Sequence, residues 1–134
     1  MAVIMDIVEP KKPILILSYN NCEIYCCHLD GYKADTDALL NRLSEIEAVF
    51  LSKPAQNKYR IWYNIDENHL DKDALKLVAE SISRYKEHIC KIAFIGLCGF
   101  KQKKFNKILE QILKGESITK AYFQDAQLAK GWLI

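Results

Sequence analysis

The densest run of chemically capable side chains in this sequence is Asp66-Glu67-Asn68-His69-Leu70-Asp71-Lys72-Asp73-Ala74-Leu75-Lys76. Its four carboxylates, Asp66, Glu67, Asp71 and Asp73, invite a hard-cation reading, because Mg²⁺ takes oxygen ligands and often sits where a parallel strand ends. The stretch contains no Ser, Thr or Cys that could act as a nucleophile. Elsewhere Cys22, Cys26 and His28 alternate along one face of a strand-like run, as zinc ligands could. Residues four apart on a strand are about 13 Å apart, too far for one tetrahedral centre. Gly96-Leu97-Cys98-Gly99 lacks the spacing of a phosphate loop. No Ser/His/Asp or Cys/His arrangement comes with a supporting motif. These residues therefore predict no catalytic site, no metal and no cofactor. They predict a surface for a protein partner, made by Asp66, Asn68, His69, Asp71, Lys72, Asp73 and Lys76.

That surface needs a strand before it and a helix after it. Residues 58–65 are β-prone and apolar on both faces, which suits a central strand. Residues 71–88 read as a helix with Leu75, Val78, Ile82 and Tyr85 inward. Asp71 and Asp73 lie where an N-cap and the helix dipole favour negative charge, so local structure alone gives both a role. Upstream, residues 1–13 read as a loose lead-in. Strands over 14–19 and 22–28 follow, joined by Asn20-Asn21, a pair that tolerates the positive φ of a tight hairpin. A helix over 35–51 comes next. Downstream the pattern predicts a strand over 91–97, a lysine-rich helix over 101–114 ending near Gly115, a strand over 120–123 and a final helix over 125–132 capped by Asp125. The order is β-β-α-β-α-β-α-β-α: an α/β fold with an opening hairpin and a four- to five-stranded, mainly parallel sheet. The hairpin argues against a phosphoryl-transfer receiver, which alternates β and α from its first strand. Lys120 argues against it too, standing at the start of the last strand and not at its end.

At 134 residues the chain fits one domain, with a net charge of +2 from 19 basic and 17 acidic residues. That balance offers no general attraction to nucleic acid. The local run Lys101-Gln102-Lys103-Lys104, followed by Lys107, reads as a solvated helix start, with an anionic-partner patch as the alternative. Five cysteines, two of them adjacent, and no export signal point to reduced thiols and a cytoplasmic location. No apolar run approaches the roughly 20 residues that cross a bilayer.

With these segment lengths, the order resembles the STAS domain, the fold of bacterial anti-sigma-factor antagonists. The C-terminal part is similar to the SpoIIAA-like family in Lys91-Ile92-Ala93-Phe94-Ile95-Gly96 and its following lysine-rich helix, in Ala121-Tyr122-Phe123-Gln124-Asp125, and in Ala129-Lys130-Gly131-Trp132-Leu133. The resemblance implies a regulatory protein-binding module whose partner is an anti-sigma, kinase-like or other regulatory protein. Homodimerisation is a further expectation. In the switching antagonists the elbow resembles Asp-Ser-Ser-Gly-Leu, and one Ser is phosphorylated. Here that motif falls on Asp71-Lys72-Asp73-Ala74-Leu75. Asp73 stands at the phosphoacceptor place, or Lys72 if the register slips by one. The implied module is thus held in one state by a fixed charge of about −1, where phosphoserine would carry roughly −1.5 to −2. Some relatives of the fold are proposed to hold lipid-like ligands, which gives the alternative of an apolar-ligand carrier or sensor. Its pocket would use Trp62, Phe94, Tyr122 and Phe123.

Overall fold

A computed structural model describes residues 14–29, 35–66, 70–97 and 99–134. Strand β1 (Ile14–Tyr19) turns back into β2 (Cys22–His28) through Asn20 and Asn21, both at positive φ (48° and 65°), the geometry a two-residue hairpin requires. Then follow α1 (Thr36–Leu51), β3 (Tyr59–Asn64), α2 (Lys72–Arg84), a 3₁₀ turn (Lys86–His88), β4 (Ile89–Ile95), α3 (Gly99–Leu113), β5 (Lys120–Phe123) and α4 (Ala126–Leu133). The α/β class and the mainly parallel sheet match expectation, and the sheet has five strands. The helix expected over 71–88 instead stops at Arg84. Tyr85, with ψ at 25°, leaves the α-helical region, and the 3₁₀ turn carries the chain into β4.

The strands lie in sequence order, β1-β2-β3-β4-β5, antiparallel only between β1 and β2. Right-handed crossovers between successive neighbours that always step the same way must place their helices on one side of the sheet. Accordingly α1, α2 and α3 all pack on one face, here termed the front, against Tyr25, Cys27, Ile61, Tyr63, Ile92 and Phe94. The back face presents the alternate residues, Ile24, Cys26, Trp62, Ala93 and Ile95, and receives Ala129 and Leu133 of α4.

An aromatic network fills the front core. Phe94 stacks on Tyr122 at 5.2 Å between centroids and meets Phe105 edge-on at 5.0 Å, while Phe50 stacks on Tyr85 at 4.8 Å. Burial pushes the Tyr63 and Tyr85 hydroxyls well above the ordinary tyrosine range, and the Cys27 thiol up likewise. His88, near the end of the expected helix, is buried. Its Nδ1 lies 2.9 Å from the Asn57 carbonyl and its ring stacks on Tyr59. No helix among the described residues is long and apolar enough to cross a membrane.

Candidate functional site

At the C-terminal edge of the sheet, the β3–α2 elbow and the β4–α3 turn meet. The Ile65 N–H donates to the Ile95 carbonyl at 3.0 Å, and Asp66 N–H donates to Asn64 Oδ1 at 3.0 Å. Gly96 lies directly against Asp66: a Cβ at Gly96 would stand 2.8 Å from the Asp66 backbone, and its φ of 98° also favours glycine. The Gln124 side chain donates to the Leu97 carbonyl at 2.8 Å, binding the end of β5 into the same corner. Ile65 and Asp66 at the end of β3 are thereby held against Gly96 and Leu97 at the end of β4.

Asp71 caps α2: its Oδ1 accepts from Ala74 N–H at 2.8 Å, satisfying one of the unpaired donors of the first turn. Asp73 does no such work. It is exposed in the first turn of α2, beside exposed Lys72 and one turn before exposed Lys76. Asp66 is exposed at the end of β3. The structure thus brings Asp71, Lys72, Asp73 and Lys76 together on one helix start, whereas Asn68, His69 and Glu67 lie outside the described residues. The expected lead-in, 1–13, lies outside them too. Among the described residues no group of three His, Cys, Asp or Glu side chains could hold a metal ion.

Sequence reasoning undervalued what faces this helix. A groove of about 510 Å³ is lined by Leu70, Phe100, Lys101, Lys103, Lys104 and Lys107. It continues between α2 and α3 along Lys72, Asp73, Lys76, Ile108, Gln111 and Ile112. Helix α3 carries two stripes at helical spacing. Phe105, Leu109 and Leu113 are buried in the front core. Phe100, Lys104, Lys107, Ile108 and Gln111 recur at three- and four-residue intervals on the groove side. Phe100 is 91% exposed, the most exposed large apolar side chain described. The readable signal was a phenylalanine immediately before the lysine run and out of phase with the core stripe.

The proposed apolar pocket does not form from its four residues. Phe94 and Tyr122 lie on the front face and Trp62 and Phe123 on the back. The registers Tyr63↔Phe94, Phe94↔Tyr122 and Ile95↔Phe123 fix this, because successive strand residues point to opposite faces. Tyr122 and Phe123 are adjacent in β5, so they could never have shared one. Each aromatic also has neighbours. The Tyr122 hydroxyl donates to Asn106 Oδ1 at 2.9 Å, and burial followed by the Glu110 charge raises its pKa. Trp62 Nε1 donates to the Ala126 carbonyl at 3.4 Å, and Phe123 meets Trp132 at 5.9 Å between centroids.

Comparison of the chain with protein-family models, with curated proteins and with solved structures finds no match.

Proposed function

We propose that this chain is a non-catalytic, STAS-like, SpoIIAA-like protein–protein interaction module of bacterial regulation, acting in the cytoplasm through the start of α2. The observation that carries the reading is the division of labour between two aspartates. Asp71 supplies the cap through its 2.8 Å contact with Ala74 N–H, which leaves Asp73 exposed as a fixed negative charge on the neighbouring turn. The cap needs only one of them, and the dipole complementarity left to Asp73 is worth about 0.3 kcal/mol or more. In the resemblance to anti-sigma-factor antagonists Asp73 takes the phosphoacceptor place, so the module stays in one binding state and no kinase cycles it. The sequential strand order adds support, because helices on one face leave no crevice between oppositely placed crossovers, where open α/β sheets bind cofactors and substrates.

Capture from bacterial lysate, comparing wild type with Asp73→Arg and identifying bound proteins by mass spectrometry, tests the reading. A kinase-like or other regulatory protein retained by wild type and lost by Asp73→Arg is the expected result. The same proteins on both baits would remove Asp73 from the contact. The apolar-ligand carrier is not favoured, since its four aromatics are divided between two packed faces.

A further inference from the structure

The lysines of the α2–α3 groove run against local helix energetics. The N-terminal end of a helix is its positive pole and favours carboxylates, yet the first turn of α3 has no acidic residue and holds Lys101, with Lys103 and Lys104 in the next turn. Across the groove stand Lys72 and Lys76. Among the described residues none of these lysines forms an ion pair, whereas Lys86 and Lys120 elsewhere pair with Glu116 and Glu110. Like charges without ion pairs around an apolar floor of Leu70 and Ile108, with exposed Phe100 beside it, are a local cost that the single carboxylate of Asp73 offsets only in part.

We propose that the α2–α3 groove binds an acidic, amphipathic segment of a partner protein, with Phe100 as its apolar anchor and Lys104 and Lys107 as its principal charge contacts. This rests on the module reading and specifies the partner's chemistry. The charge is complementary to an acidic segment, and the aliphatic floor accepts apolar side chains, which a nucleic-acid backbone lacks. Asp73 at the rim disfavours a flat anionic membrane, against which it would be pressed. Within the groove Asp73 is the discordant charge, and it sets register by requiring a cationic or hydrogen-bond-donating group opposite it.

The test uses the full chain and a fluorescein-labelled peptide of Glu and Leu at helical spacing, 15 residues long like α3 itself. Fluorescence anisotropy is read at low and high salt, beside the same peptide with Lys for Glu, single-stranded RNA and phosphatidylglycerol vesicles. Expected are binding of the acidic peptide that weakens with salt, and a loss of about tenfold or more in the Lys104→Glu/Lys107→Glu double variant. Phe100→Ala should weaken binding at both salt levels, and Asp73→Arg should leave binding of this peptide, which has no cationic group, equal or tighter. The two altered lysines and Phe100 are exposed, so melting temperatures close to wild type will show that the fold persists. Flat anisotropy, equal binding of the Lys peptide, indifference to the double variant, or tighter binding of RNA or vesicles would overturn the proposal. A lysate partner lost by Asp73→Arg but kept by Lys104→Glu/Lys107→Glu would overturn it while leaving the module reading intact. Peptide binding without any captured partner would support the groove and count against the module.

Discussion

The two faces of the sheet are closed by different means. Three helices totalling 44 residues (16, 13 and 15) cover the front, and their buried side chains meet those of three strands, β2, β3 and β4, in one continuous aromatic and aliphatic core. Among the described residues a single helix of 8 residues closes the back. There, polar ties supplement a small apolar contact. Lys91 Nζ donates to the Trp132 carbonyl at 3.1 Å and lies 5.2 Å from that ring, and Lys130 lies 5.9 Å from the Trp62 ring. At the edge strand β1 both faces are open among the described residues, with Leu15 46% exposed on the back and Ile16 56% on the front. Stability should therefore reside in the front, while the back opens locally at lower free energy.

The comparison breaks most sharply at Phe94. Phe94→Ala removes a fully buried ring touching Tyr63, Phe105 and Tyr122, and should cost about 3–5 kcal/mol in denaturant unfolding. A loss below about 1 kcal/mol would mean that the front core is not the main support. Leu133→Ala, equally buried but on α4, should cost about 2–3 kcal/mol, near the low end for such truncations. Hydrogen exchange should then accelerate in α4 while α1 and α2 stay protected; uniform acceleration would contradict separate closure of the two faces.

Alkali sharpens the same contrast. Tyr63 and Tyr85 have folded pKa values raised above the unfolded value, so between those values the native state holds protons that the unfolded chain releases. The stability these two groups contribute is fully present below about pH 10 and falls as pH rises beyond it, by a little over 1 kcal/mol per pH unit for each tyrosine. Phenylalanine at both positions should flatten that decline.

At the rim of the front layer the effects are smaller. Asp71→Ala should cost about 1 kcal/mol through the lost cap. Asp73→Ala should cost only a few tenths, because it loses dipole complementarity alone. Similar costs in thermal melts would erase the distinction between capping and contact on which the proposed function rests.

Much of the front layer was legible in the sequence because local physics dictates it. The Asn20-Asn21 hairpin follows from positive φ, α2 from its apolar periodicity, and the Asp71 cap from its position before a helical run, as does the Asp125 cap on the back. What could not be read was pairing. Which strand residues share a face with which helix depends on register and on the one-directional order of the strands, so composition alone puts Trp62 with Phe94, whereas they point to opposite faces. The groove was half legible. Its lysines were visible, but their assembly with Leu70, Lys72 and Lys76 depends on how α2 lies beside α3.

The strand order also has a consequence for synthesis. From β2 onward each parallel strand adds beside the one made before it, so the sheet can grow vectorially as the chain leaves the ribosome, each crossover helix covering the front as it arrives. The back has no such escort. Ile24, Cys26 and Trp62 are all translated long before α4, and they stay open to solvent or to a chaperone until Ala129 and Leu133 emerge. A helix made after the whole sheet is the lid on apolar surface of its early strands.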